Sequence, residues 1–319
     1  MQKHWLVWLF TTLAMNAHAA AAGLQSFDIP ADVGGPAIRV AVWYPSEDRP
    51  SPIMFGAYTL TAAKDGAISG RGLPLIVMSP GRGGTFVGNN DTAQYLANEG
   101  FVVVSLNHPG DTASDKSRIE ELSIYLQRPR DVARVIDHLT GVAALSASID
   151  PGRIGIYGFS RGGYTGLVAV GAKPNFLAGL PMCAGRTDKK CGELRAPQFS
   201  NLPMMHDHRI KAAVIVDPLT IFFTPESFSD VTVPVQLWAS ETGFDGVEPK
   251  AVDAINAALK APHTLTKVEH SQHFSFTVVC PASIADQEPV ICKDPPGLDR
   301  GQFHLRFNAS VAALFRTNL

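Results

Sequence analysis

Apolar residues along this chain fall into short continuous runs, separated by segments in which apolar and polar positions recur at helical spacing. Runs such as Val102-Val103-Val104 and Ala212-Ala213-Val214-Ile215-Val216 show no polar alternation, the pattern of strands covered on both faces. The runs predict strands at 38–44, 75–79, 101–107, 153–157, 210–216, 233–239 and 264–268, with helices at 90–98, 130–139, 164–171, 249–259 and 303–316. Strands alternating with helices predict an α/β fold with a mostly parallel central sheet flanked by helices. Two stretches break the alternation. Residues 45–71 form a Pro/Gly-rich excursion, and 173–207 is an insertion after the helix 164–171. Insertions on open α/β sheets decorate the carboxyl edge, where ligands bind. The segment 173–207 is therefore expected to be cap-like, lining a substrate entrance. Its apolar members Phe176, Leu177, Leu180, Met182, Met204 and Met205 are too few for an independent core.

The start of the chain changes the domain picture. Met1-Gln2-Lys3-His4 is a short basic start, Trp5 to Met15 is apolar, and Ala17-His18-Ala19 is a small-x-small cleavage pattern. This reads as a signal peptide over 1–19, leaving 20–319 as a single α/β domain that is periplasmic or secreted. The apolar stretch is shorter than the ~20 residues a span needs, so no transmembrane anchor is expected. The net charge of −2 and the absence of Lys/Arg runs offer no footprint for nucleic acid or an anionic membrane. Small or neutral substrates are expected. Cys183, Cys191, Cys280 and Cys292 can oxidise in an exported protein, and four cysteines allow three pairings. Proximity in sequence favours Cys183–Cys191 and Cys280–Cys292, while the lack of a C-x-x-C spacing argues against a cysteine-only metal site.

The candidate chemistry centres on Gly158-Phe159-Ser160-Arg161-Gly162, which follows the run Arg153-Ile154-Gly155-Ile156-Tyr157 and precedes a helical segment. A strand that reverses into a helix within a few residues strains the backbone at its apex and leaves room only for glycines beside it. Ser160 is the candidate nucleophile, and a serine needs a histidine base oriented by a carboxylate. In such sheets the acid and then the histidine follow the serine along the chain. His263 precedes the last strand and His304 falls on the final helix, which leaves His270 and His273. Asp217, Glu241 and Asp245 all follow strands at the right edge, and the residues alone leave the three open. An oxyanion hole would use the Arg161 N–H and one from the loop Ser79-Pro80-Gly81-Arg82-Gly83-Gly84. His206-Asp207-His208 lacks a third ligand for a metal, and Asn107-His108-Pro109-Gly110-Asp111 reads equally as a turn or as part of the site.

With these residues placed, the chain resembles the α/β-hydrolase superfamily, and more narrowly the exported bacterial dienelactone hydrolase-like proteins related to plasma-type platelet-activating-factor acetylhydrolases. The resemblance runs from about Ile38 to the C-terminus. It rests on Ser79-Pro80-Gly81-Arg82-Gly83, Asn107-His108-Pro109-Gly110, Arg128-Pro129-Arg130-Asp131, Gly158–Gly162, Val216-Asp217-Pro218, Ser240-Glu241, His273-Phe274-Ser275-Phe276 and Leu298-Asp299-Arg300. It implies an α/β-hydrolase fold and a Ser160, Asp217, His273 triad, with Arg82 and Arg161 as the oxyanion donors and no cofactor. The implied activity is hydrolysis of a small or lipid-like carboxylic ester through an acyl enzyme. A lipase, polyester hydrolase or peptidase on the same fold, or a binding module that kept the fold, are the alternatives. Dienelactone hydrolases carry cysteine in the elbow, so Ser160 argues against that reaction, and Pro80 stands where a related acetylhydrolase has histidine.

Overall fold

A computed structural model describes residues 21–141, 144–196, 204–244 and 246–319. The predicted leader, and Asp245 among the candidate acids, lie outside the described residues. Among those described, ten strands form one sheet in the order β10-β9-β8-β7-β5-β6-β2-β1-β4-β3. All seven predicted strands are present: β2 (Ile38–Ser46), β5 (Leu73–Ser79), β6 (Val102–Leu106), β7 (Ile149–Phe159), β8 (Ile210–Val216), β9 (Val235–Ser240) and β10 (His263–Val268). From β6 through β5, β7, β8 and β9 to β10 every pairing is parallel, as the unbroken apolar runs predicted. The other three strands lie beyond β2, which pairs antiparallel with β6. β1 (Ala21–Ile29) pairs with β2, and the Pro/Gly-rich excursion is a hairpin of β3 (Ser51–Phe55) and β4 (Tyr58–Lys64) rather than a loop.

Alternate residues of the buried strands feed two cores. Val40, Val42, Leu75, Val77, Val102, Val104, Ala213 and Ile215 pack on one face against α2 (Ser123–Gly141), α3 (Arg161–Ala169) and α5 (Pro249–Ala258). Ala41, Trp43, Ile76, Met78, Val103, Ala212 and Val214 pack on the other against α1 (Asn90–Asn98) and α8 (Arg300–Asn318). This period of two is what a pleated strand imposes when helices cover both of its faces.

The insertion contributes a 3₁₀ turn, Phe176–Cys183, and α4 (Lys189–Arg195), joined by the Cys183–Cys191 disulfide. Its described residues form no core of their own. Phe176, Cys191 and Leu194 share a cluster with Tyr125 of α2, Tyr164 of α3 and Phe222 after β8. The second disulfide, Cys280–Cys292, closes the loop that carries the short helices α6 (Ala282–Ala285) and α7 (Pro289–Cys292). No helix among the described residues is long and apolar enough to cross a membrane.

Candidate active site

Ser160 stands between the end of β7 and the start of α3 with φ 57° and ψ −119°, a conformation that costs a non-glycine residue about 1–3 kcal/mol. The surroundings hold it there. Its N–H donates to the Val216 carbonyl at 2.9 Å, and its own carbonyl accepts from Gly163 at 2.8 Å and Leu219 at 2.9 Å. A Cβ on Gly158 would lie 2.1 Å from the Gly162 carbonyl oxygen, and one on Gly162 would lie 1.9 Å from the Ser79 carbonyl oxygen. Both flanking glycines are therefore required by backbone contact.

Asp217, at the end of β8, also has positive φ, 43°, and is fully buried. Its Oδ1 accepts from the Ser240 N–H at 2.9 Å and its Oδ2 from the Ser240 hydroxyl at 2.8 Å. The same Oδ2 lies 2.6 Å from Nδ1 of His273. A carboxylate can only accept, so Nδ1 carries the proton and Nε2 is left as the basic nitrogen. The ring stacks on Phe159, centroids 4.6 Å apart, directly beside the serine in sequence. His273 opens the 3₁₀ turn His273–Phe276, where Ser275 donates to Asp294 at 2.6 Å and Arg300 donates to both oxygens of Asp294. Asn89 donates to the Phe276 carbonyl at 2.7 Å. Ser160 and His273 line one cavity of about 270 Å³.

The competing residues are placed elsewhere. His270 is exposed, and Glu241 accepts the His270 backbone N–H at 2.5 Å. His263 begins β10 at the amino edge of the sheet. His304 is buried on α8, with Nδ1 2.5 Å from Asp91 and Nε2 2.9 Å from the Ser275 carbonyl oxygen. His206 and His208 lie at the amino edge beside a cavity of about 500 Å³ lined by Asp137, Gly152 and Arg209. No group of three His, Cys, Asp or Glu residues among those described is arranged to hold a metal.

Arg82 and Arg161 both line a cavity with the serine. Arg161 is the first residue of α3, whose initial N–H groups point along the positive end of the helix dipole. Arg82 lines the cavity together with Gly81 and Ser160, and its guanidinium bonds Glu120. Behind them lies a buried polar network that sequence reasoning left divided between turn and site. Asp111 accepts Gly83 N–H at 2.8 Å, Arg128 at 2.7 Å and Arg161 at 2.9 Å. Arg128 also bonds the Pro80 carbonyl, so the network clamps the Gly-rich loop onto the elbow helix. Burial opposes ionisation of Asp111, yet Arg128 and Arg161 outweigh it and hold the carboxyl below its ordinary range. His108 places Nε2 3.0 Å from the Ser79 hydroxyl and Nδ1 2.9 Å from Asp131. Burial, aided by the Arg128 charge, pushes the His108 pKa down to about 4. The signals for this network, His108-Pro109-Gly110-Asp111 and Arg128-Pro129-Arg130-Asp131, are visible in the sequence, but their pairing is not.

The insertion meets the site with a different character from that expected. A second cavity, about 440 Å³, also touches Ser160 and takes Met182, Arg186 and Lys190 from the insertion. Of the six apolar residues expected to form its wall, Met182 lines it, whereas Phe176 is packed against Phe222.

Comparison with known proteins adds three findings. A model of the Prolyl oligopeptidase family matches residues 88–189, a segment that contains the Ser160 elbow and ends before Asp217 and His273. A bis(hydroxyethyl) terephthalate hydrolase from Streptomyces coelicolor is 31% identical over 102 residues, covering 32% of this chain and 30% of that protein. The match thus spans less than a third of the curated relative's length. The solved structure of a ferulic acid esterase from Streptomyces cinnamoneus superposes with a TM-score of 0.66 at 18% identity, over 96% of this chain and 92% of the other. At that identity the likeness is one of fold.

Proposed function

Proceeding from the premise that the chain is an α/β-hydrolase by fold, we propose that it is an exported serine hydrolase of carboxylic esters. The observation that carries this reading is a strained elbow serine sharing a cavity with a histidine whose Nδ1 is held by a buried carboxylate. His273 Nε2 takes the Ser160 proton as Oγ attacks the ester carbonyl, and the oxyanion forms against the Arg161 and Arg82 N–H groups. Collapse breaks the alkoxy C–O bond, with His273 returning the proton to the leaving alkoxide. Water, deprotonated by the same nitrogen, then releases the acyl group and restores Ser160. Asp217 keeps the ring in one tautomer and stabilises the imidazolium, and Ser240 satisfies its remaining acceptor sites.

The relative and the structural neighbour are both named as ester hydrolases, which supports the ester over the amide. The Prolyl oligopeptidase match favours a peptidase as the second reading. Export is supported by the leader pattern at 1–19 and by two disulfides. The test is labelling with a fluorophosphonate beside turnover of a panel of esters and amides. The reading expects covalent label on Ser160, ester turnover, and loss of both in Ser160→Ala. An unlabelled, well-folded protein would mark it as a binding module.

A further inference from the structure

Two cavities meet at Ser160, and among the described residues His273 lines the smaller one and not the larger. That asymmetry orients an ester. When the tetrahedral intermediate collapses, the leaving alkoxide takes its proton from His273, so the alcohol half lies in the cavity of about 270 Å³ that holds the ring. Tyr58, Phe159, Phe274 and Ile291 give that cavity apolar walls. Its polar side chains are largely spent. Asn89 donates to the Phe276 carbonyl and the Tyr157 hydroxyl, Thr277 donates to the Phe274 carbonyl, and the Arg82 guanidinium bonds Glu120, which lines the larger cavity. The volume lies at the foot of the range of about 300–1,000 Å³ for small-molecule sites, room for one ring rather than for a long chain.

Tyr58 comes from a part of the chain that supplies neither nucleophile, base nor acid. It opens β4, opposite Phe55 at the tip of the edge hairpin. The far end of β4 pairs with β1 through Ala63 and Lys64, so the hairpin is anchored to the sheet there and reaches the cavity with its tip. The tip is held as well. Phe55 meets Phe86 edge to face, centroids 5.4 Å apart, and Ile53, Phe55, Tyr58 and Phe86 are all partly buried against one core. Phe274 stands directly after His273 and packs edge-on against its ring, with 5.2 Å between centroids. We propose that Tyr58 and Phe274 select the alcohol half of the substrate, so that the preferred ester carries a compact, uncharged, ring-bearing alcohol. This inference rests on the serine-esterase reading and narrows its substrate class. Aromatic walls gain from a ring laid against them beyond the area it buries. A polyol would give up its water against walls that offer few free partners. Ser160 Oγ bonds the acyl carbon, the alkoxy C–O bond breaks, and the alcohol leaves with the His273 proton. Water then takes the acyl group and restores the serine.

The test keeps the acyl group fixed as acetate and varies the alcohol: benzyl, ethyl and 2,3-dihydroxypropyl acetate. For benzyl acetate, kcat/KM is expected to exceed that for ethyl acetate by about thirtyfold, from the area of ring removed from water. It should exceed that for the dihydroxypropyl ester by at least as much. The benzyl-to-ethyl ratio should fall about fivefold in Tyr58→Ala and stay within about twofold in Tyr58→Phe, which keeps the ring. A ratio moved by Met182→Ala in the larger cavity and not by Tyr58→Ala would put the alcohol in the other cavity and overturn the inference. Should Tyr58→Ala fail to fold, the wild-type ratios decide alone. Ratios at or below one would overturn the inference and leave the esterase reading standing. No turnover of any ester, with Ser160 unlabelled by fluorophosphonate, would overturn both.

Discussion

Two sites in the molecule gather a serine, a histidine and an aspartate, one sealed and one facing a cavity. Ser79, His108 and Asp131 are joined at 3.0 and 2.9 Å, with the histidine between the hydroxyl and the carboxylate. In the other, the Asp217 carboxylate lies 2.6 Å from the His273 ring, and Ser160 lines a cavity with that histidine. What differs is access and backbone. Ser79 ends a strand, is 1% exposed, and its oxygen is occupied by Arg128 at 3.3 Å. Ser160 sits at the apex of a strained turn and faces two cavities. His108 is held neutral beside a buried arginine, whereas His273 is backed by a carboxylate with no cation bonded to it among the described residues. The serine joined to its histidine by a hydrogen bond is thus the sealed one. A serine also needs an approach for substrate and donors aimed at the oxygen that develops charge.

The sharpest separation is in turnover. Ser160→Ala should lose at least about 10⁴-fold in kcat with its fold intact, while Ser79→Ala should lose less than about tenfold. Equal losses in steady-state assays on one ester would erase the distinction. The acids should divide in the same way. Asp217→Asn is expected to lower kcat by about 10⁴-fold by inverting the tautomer of His273. Asp131→Asn should act mainly on stability, read as a lower urea midpoint, and Asp245→Asn made in parallel should stay within about threefold of wild-type kcat.

Acid should destabilise the protein through the buried His108. The His108 pKa falls from its ordinary 6.5 to about 4 in the folded protein, so both states are neutral above 6.5. As pH drops below 6.5 the unfolded chain takes up a proton that the folded one refuses. Stability is then lost progressively until pH 4, by about 3 kcal/mol in all. Urea unfolding at pH 7, 5.5 and 4 should show that loss, and His108→Gln should flatten it. The smallest effect expected is on the wall of the cavity-facing array. Ile291 lines the smaller cavity from inside the loop closed by Cys280–Cys292. Cys280→Ser with Cys292→Ser should cost at most roughly 3 kcal/mol of stability and raise KM more than it lowers kcat. A KM unchanged in the reduced-loop variant would detach that loop from substrate binding.

The insertion shows where reading by residue type reaches its limit. Its apolar side chains invited an apolar wall, but Phe176 and Leu194 are drawn into a shared core, and Lys190 of α4 lines a cavity that Ser160 also lines. Side-chain direction on a short helix depends on which face its neighbours bury. Choosing among Asp217, Glu241 and Asp245 was closed to residue reading for the same reason. Each follows a strand, and Asp217 is distinguished by the Ser240 hydroxyl and N–H that reach it from the next strand. The hairpin at 51–64 escaped notice because its exposed Ser, Thr and Pro positions lack the apolar run of a buried strand.

The sequence by itself determined the parallel core strands, the pinched turn at Ser160 and the two disulfide pairs. Each depends on residues close together in the chain: a continuous apolar run, glycines flanking one serine, or cysteines 8 and 12 residues apart. Tertiary structure alone decided which carboxylate meets His273, which serine lies open and which is sealed, and that cations face the larger cavity. Those outcomes join residues 56, 29 and 70 positions apart, as in Asp217 with His273, Ser79 with His108 and Glu120 with Lys190. Local pattern carries no distance information over such separations. Only packing of the whole sheet, with helices on both faces, brings the ends of β5, β7 and β8 to one edge and sets those partners within hydrogen-bond reach.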